Sequence, residues 1–167
     1  VALGDSIIGI HAQSTIVKRM VETFGTHSAD AVIAFEEVPR HEVKQYGIAK
    51  PRGDATDTFV LADIIEKPSV DEAPSNLAVA ARYVFSPMIF ELLASTHPGK
   101  GGEIQLTDAI RTWIHRGGKV LGMKLNRQEQ RYDIGNFESY YAAFVDFALA
   151  DPKYGPSLRD HLRKVLA

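Results

Sequence analysis

Ile65-Glu66-Lys67-Pro68 sets a carboxylate and an ammonium side by side at the end of an apolar run, and a proline stops that run at once. The run itself, Phe59-Val60-Leu61-Ala62-Asp63-Ile64-Ile65, reads as a largely buried strand. Two opposite charges therefore sit at a strand tip, and in α/β proteins the C-terminal mouths of strands are where ligands bind. A carboxylate there can accept hydrogen bonds from hydroxyls such as a sugar's, while an ammonium meets a phosphate as a point charge. The plain alternative is an exposed strand-end ion pair with no chemistry. The tetrapeptide by itself does not choose between them.

Other chemistries lack their residues. The chain has no cysteine, which removes disulfides and thiolate catalysis and is compatible with a reducing compartment without demonstrating one. Its six histidines are scattered, with no metal-spaced pair on one helix face, so no zinc site is expected. Neither a Ser-His-Asp arrangement nor Gly-x-Ser-x-Gly occurs, which leaves a hydrolase without support. A formal charge of -2 offers no concentrated basic surface for nucleic acid or an anionic membrane, and no apolar run approaches the ~20 residues that span a bilayer. With 167 residues, 45% of them hydrophobic and 24% charged, the chain can bury a sizeable core.

Alternating helical and strand patterns without repeats point to an α/β protein. Val1-Ala2-Leu3-Gly4 looks like the end of a buried strand that gives way at Asp5 to a helix-forming segment. Ile16, Val17, Met20, Val21 and Phe24 recur at helical spacing, so 13–24 reads as an amphipathic helix with Gly25 as its stop. Ala31-Val32-Ile33-Ala34-Phe35 reads as a buried strand, 46–49 and 59–65 as a hairpin around Pro51-Arg52-Gly53-Asp54, and 79–85 as another strand. Ser86-Pro87 should open a helix through Leu93, with Ser as N-cap and Pro at the first helical position. A helix over 103–115 should end at Gly117-Gly118 before a strand at 120–125, and 136–149 should form a helix whose Phe137, Tyr140, Tyr141, Phe144 and Phe147 serve as core or subunit contact. Pro152 and Gly155-Pro156 suggest a hinge, so 1–150 is expected as one domain portion and 151–167 as a terminal helix able to contact a second subunit.

After the Glu-Lys-Pro element come Asp71-Glu72-Ala73-Pro74-Ser75-Asn76-Leu77-Ala78, then Ala81-Arg82-Tyr83-Val84-Phe85, then Gly101-Gly102-Glu103-Ile104-Gln105-Leu106-Thr107-Asp108-Ala109-Ile110. In that order and spacing, from Leu3-Gly4-Asp5 to about Phe147, the chain resembles the bacterial UTP-glucose-1-phosphate uridylyltransferases. The resemblance implies a three-layer, Rossmann-like nucleotidyltransferase fold with a mixed, mainly parallel sheet, incomplete at the N-terminus. It implies UTP and glucose 1-phosphate as partners, Mg²⁺ as cofactor, a cytoplasmic homo-oligomer (dimer or tetramer), and no nucleic acid or membrane. Lys67, Asp5 and Asp133 match its catalytic positions, Asp5 and Asp133 its metal positions, and Gly47, Glu66 and Lys67 its substrate-binding positions; Ala81 falls at a further substrate-binding position as a slight departure, since many relatives place a small residue or glycine there and the extra methyl would narrow the pocket. Unaided by the resemblance, Asp5 and Asp133 read as turn or helix-cap aspartates, Gly47 as a hairpin or bulge glycine, and Glu103 as a first-turn residue complementing a helix dipole. The wider group of sugar-1-phosphate nucleotidylyltransferases shares Glu-Lys-Pro, so another sugar or nucleotide, or a catalytically silent regulatory domain, stays open.

Members of that family open with a G-x-G-T-R loop followed by a lysine, which holds the nucleotide triphosphate. Gly99-Lys100-Gly101-Gly102 and Gly117-Gly118 do not match such spacing, and the chain is expected to be a C-terminal portion carrying the sugar-phosphate and metal half of a site. An enzyme that works by positioning two substrates loses most of that advantage when one is not held. Given UTP, glucose 1-phosphate and Mg²⁺, the 167-residue chain alone should not form UDP-glucose at a meaningful rate and, unless a companion polypeptide supplies the missing half, should prove poorly stable, aggregation-prone or self-associated on size-exclusion chromatography. Turnover comparable to a complete enzyme of that family, from a well-behaved monomer, is the contrary result.

Overall fold

The computed structural model describes residues 1–9, 14–99 and 102–167. Strands are β1 (Ser6–Gly9), β2 (Ala31–Glu37), β3 (Gly47–Pro51), β4 (Thr58–Glu66), β5 (Leu77–Phe85), β6 (Val120–Lys124) and β7 (Gln130–Asp133). Helices are α1 (Ile16–Thr26), α2 (Met88–Ser95), α3 (Leu106–His115), α4 (Phe137–Ala150) and α5 (Gly155–Val165), with a short 3-10 helix at Arg40–Gln45. They form two compact units, one of Val1–Ala2 with Thr15–Asn126 and one of Leu3–Ser14 with Arg127–Ala167. None of the described helices is long and apolar enough to cross a membrane.

In the first unit five strands close a hydrogen-bonded ring in the order β2-β5-β3-β4-β6. The α/β class holds, but the mainly parallel sheet does not: β2 with β6 is parallel, and the β2–β5, β3–β4, β3–β5 and β4–β6 pairings are antiparallel. Strands joined by short turns, as β3 and β4 are, must run antiparallel, whereas a parallel pair needs a crossover of a dozen residues or more. The apolar runs fill the interior as their pattern required. Ile33, Phe35 and Ile64 are fully buried with Ile110 of α3 in one cluster, and burial of each such side chain stabilises by about 1.5–3 kcal/mol. At the end of α3, Gly117 takes φ +87 and Gly118 N–H donates to Trp113 O, a C-terminal cap that a β-carbon at Gly117 would strain.

Several local expectations are corrected. The first residues are not a buried strand end: Val1 is two-thirds exposed and Ala2 makes one bridge to Arg82. Asp5 leads into a strand, β1, because Ser6 to Gly9 pair with β7. Helix α1 runs past Gly25 to Thr26, and Gln13 lies outside the described residues. Ser86 caps nothing with its side chain; its N–H donates to Asp30 O, and Pro87 holds the N-cap position of α2. Glu103 is exposed and precedes α3, so its dipole role falls to Asp108 in the true first turn.

Helices α4 and α5 lie in the second unit together, where Arg159 donates to Leu149 O at 3.2 Å. On α4, Ala143 is buried and Phe147 meets Tyr132 edge-on at 5.2 Å, while Phe137, Tyr140, Tyr141 and Phe144 stay exposed. The five aromatics share one broad face of the helix, and β7 covers only the edge of it where Phe147 lies next to Ala143. Those four are therefore not core of this chain.

Ala81 supplies a test of the fold. Between the pairs Ile33↔Tyr83 and Phe35↔Val79 the register of β2 against β5 shifts, and inside that bulge Ala81 takes φ +54, a region that costs an L-residue roughly 1–2 kcal/mol. In the protein that carries this chain, Ala81→Val, favourable in an ordinary strand, should destabilise by about 2 kcal/mol in urea unfolding, while Ala81→Gly should be tolerated. Equal stability of the valine variant would show an unstrained strand position.

Candidate functional site

Glu66 faces the core side of the ring because of a bulge. Phe59 and Leu61 point into the main core cluster, so counting by twos along β4 would send Asp63 and Ile65 inward and Glu66 out. The register against β3 shifts between Lys50 and Pro51, from Lys50↔Asp63 to Pro51↔Leu61, and the count moves by one. Ile64 then pairs with Ala49 on the core face, and Glu66 pairs with Gly47 two residues on. The Glu66 side chain is consequently only 18% exposed.

A largely buried carboxylate needs partners, and Thr107 of α3 supplies one: its hydroxyl donates to Glu66 Oε2 at 2.7 Å. Gly47 explains how the pair fits. A β-carbon there would sit 3.1 Å from Glu66 Oε2, 3.3 Å from Thr107 Oγ1 and 3.3 Å from a methyl of Val79. The need is spatial, since the backbone at Gly47 is not left-handed.

Lys67 is built differently. Its N–H donates to Tyr46 O at 3.0 Å, extending the hairpin one residue, and Pro68 disfavours the right-handed helical region at the residue before it. Lys67 takes φ +44, one of the few left-handed non-glycine residues among those described. Such strain clusters at functional sites. Its side chain is half exposed and its Nζ lies 4.0 Å from Glu66 Oε1, too loose and too wet for the ion pair to contribute much stability. Ala81 lies two residues along β5 from Val79, which lines Gly47.

In the second unit the pairing of β1 with β7 sets Ser6 opposite Asp133, and Ile134 N–H donates to Asp5 O at 2.8 Å. Asp5 and Asp133 are thereby brought together around Gly135, whose β-carbon would lie 3.2 Å from Asp133 Oδ1 and 3.7 Å from Asp5 Oδ2. Neither aspartate caps a helix. A strand follows Asp5, and the cap of α4 is Asn136, whose side chain accepts from Ser139 N–H at 3.0 Å. Asp133 Oδ1 does accept from Gly135 N–H at 2.9 Å, as a turn aspartate would. Two carboxylates converging on a glycine form a hard oxygen donor set that suits Mg²⁺, which takes one or two protein carboxylates and keeps the rest of its shell for water and phosphate. No group of three or more metal-ligating side chains occurs among the described residues. Beside this pair, burial and then the Asp146 carboxylate push the Tyr132 hydroxyl above its ordinary value.

The family model for nucleotidyl transferases matches residues 3–149. The chain belongs to the nucleotidyl transferase family. It is 34% identical over 166 residues to a UTP–glucose-1-phosphate uridylyltransferase of Streptococcus pneumoniae serotype 4, covering 97% of this chain and 54% of that protein. A UTP–glucose-1-phosphate uridylyltransferase of Pseudomonas aeruginosa is 37% identical over 143 residues, 86% of this chain and 50% of that one. Among solved structures, a UTP-bound UGPase from Acinetobacter baumannii matches with a TM-score of 0.82 at 33% identity, over 97% of this chain and 54% of that one. A UDP-glucose pyrophosphorylase complexed with UDP-glucose matches with a TM-score of 0.77 at 36% identity, over 86% and 53%. The chain spans about half the length of the curated relatives it matches.

Within this nucleotidyl transferase chain the sequence singled out both partners at the Gly47–Glu66 pairing and both aspartates. It missed Thr107. The residue lies inside the Gly-Gly-Glu-Ile-Gln-Leu-Thr-Asp match, where only Glu103 carried a reading of its own, and nothing in the linear pattern ties position 107 to position 66. A cavity of about 500 Å³ lined by Ala148, Asp151, Tyr154, Ser157, Leu158 and His161 contains none of the residues singled out.

Proposed function

We propose that the protein carrying this chain transfers the uridylyl group of UTP to glucose 1-phosphate, giving UDP-glucose and pyrophosphate. The observation that carries this is the oriented, largely buried Glu66 carboxylate next to a half-exposed Lys67 ammonium on strained backbone. The family membership and the likeness to uridylyltransferases along most of the chain support it. In this reading Glu66 accepts hydrogen bonds from glucose hydroxyls, Gly47 and Ala81 let the backbone lie close to the sugar, and Lys67 offsets the phosphate charge.

A phosphate oxygen of glucose 1-phosphate forms a bond to the α-phosphorus of UTP, and the bond from that phosphorus to the bridging oxygen of pyrophosphate breaks. Two anions must approach each other, so fixed positive charge and positioning supply most of the rate. Asp5 and Asp133 would hold Mg²⁺, which when bound offsets charge on the phosphate oxygens. Homo-oligomerisation belongs to the same reading. The exposed Phe137, Tyr141 and Phe144 of α4 support it, because aromatic residues gathered on a surface mark contact sites.

In the protein that carries this chain, Lys67→Ala should lower turnover by about 10²-fold or more, the scale of losing one preorganised charged group, with little change in melting temperature because the side chain is half exposed. Parental kinetics in a purified Lys67→Ala variant would remove it from the site. Asp5→Asn and Asp133→Asn should each raise the Mg²⁺ concentration needed for half-maximal activity, since each takes away a hard anionic ligand. Superimposable Mg²⁺ titrations for parent and variants would exclude both aspartates.

A further inference from the structure

We propose that Thr107 is a positioning residue for Glu66, and that helix α3 thereby sets which carboxylate oxygen meets a polyhydroxylated phosphate ligand. The proposal rests on the sugar-phosphate reading of Glu66 and Lys67. Its starting point is an asymmetry. Glu66 Oε2 is engaged by the Thr107 hydroxyl at 2.7 Å, whereas Oε1 is the oxygen nearer the Lys67 ammonium, at 4.0 Å. A hydrogen bond to an ionised acceptor is about twice as strong as one between neutral groups, so the Thr107 bond holds the carboxylate in one orientation. Oε1 is left as the acceptor offered beside the cation.

The surroundings of Thr107 fit this use. A threonine in a helix commonly turns its hydroxyl back to the carbonyl four residues earlier. Here that carbonyl, Glu103 O, accepts from Gly99 N–H at 2.9 Å, and the Thr107 hydroxyl reaches across to β4. Gly47 keeps the space clear, because any β-carbon there would press on Glu66 Oε2 and Thr107 Oγ1 together. Three positions that are distant in the chain thus converge on one oxygen.

Helix α3 does not depend on this bond for its place. One turn further on, Arg111 binds Asp63 of β4 through two hydrogen bonds of 3.0 and 3.1 Å, and Ala109, Ile110, Trp113 and Ile114 are buried in the main core. Removing the Thr107 hydroxyl should therefore release the carboxylate without moving the helix. That separates positioning from a merely structural role, in which a hydroxyl satisfies a half-buried acid and its loss reads out as stability alone.

The experiment compares Thr107→Val, Thr107→Ser and Glu66→Gln, with the Thr107→Val/Glu66→Gln double variant, in the protein that carries this chain. It measures KM for glucose 1-phosphate, kcat and melting temperature. Thr107→Val, nearly isosteric and lacking the donor, should raise KM on the order of tenfold with a smaller change in kcat, as expected for loss of a hydrogen bond to a charged group. Thr107→Ser should recover most of it, and in the Glu66→Gln background Thr107→Val should add little, because the two act through one group. A KM for Thr107→Val equal to the parent's, where Glu66→Gln raises it, overturns the positioning role and leaves the sugar-phosphate reading standing. Full additivity, or a serine variant as impaired as the valine, overturns it too. Parental KM in Glu66→Gln instead brings down the reading of the site and this proposal with it.

Discussion

The register of β4 against β3 is the constraint on which the rest of the sugar-phosphate cluster depends. Because strand side chains alternate, a slip of one residue would send Glu66 to the opposite face and Ile65 to the core. Burial forbids that slip: Ala49 and Ile64, paired two residues away, are both fully buried, and exchanging Ile64 for Asp63 would bring a charge into the interior. The bulge between Lys50 and Pro51 is what makes this register compatible with Phe59 and Leu61 facing inward as well. Hydrophobic packing along the hairpin thus fixes where a carboxylate points.

Once Glu66 faces inward, its surroundings follow from the cost of burying charge. A carboxylate that is four-fifths covered needs a donor, the donor must come from the element packed on that face, and α3 provides Thr107. Space for the pair requires a residue without a β-carbon on the neighbouring strand, and that residue is Gly47. Lys67, one step beyond the buried part of the strand, returns to solvent on a left-handed turn ahead of Pro68. One short segment therefore presents a held acceptor and a solvent-exposed cation, two different demands met by burial and exposure.

The aspartates of the second unit are organised by a separate pairing. β1 and β7 are four residues each, and their antiparallel ladder runs from Ser6↔Asp133 to Gly9↔Gln130. Residues 5 and 133 meet at one end of that ladder although 128 positions separate them in sequence. Gly135 leaves open the space beside both. The turn that Asp133 makes with Gly135 and the cap that Asn136 makes for α4 divide between two residues what the sequence had read as one aspartate's task.

The amino-acid sequence by itself determined the α/β class, the apolar strands that became β2, β4 and β5, the hairpin, the glycine stop of α3 and the residues able to do chemistry. These are signals of composition and short-range period, which local sterics and burial enforce wherever the chain goes. Tertiary structure alone decided what depends on distant partners. The strand directions were set by which strands close the ring, the face of Glu66 by a bulge that shifts a two-residue period, and the pairing of Thr107 with Glu66 by the packing of α3 on β4. The exposure of the α4 aromatics was settled in the same way, since a helix shows which side is apolar but not which side a neighbour covers. A side chain's type is written locally, while its direction and its hydrogen-bond partner are consequences of register and packing between segments far apart in the chain.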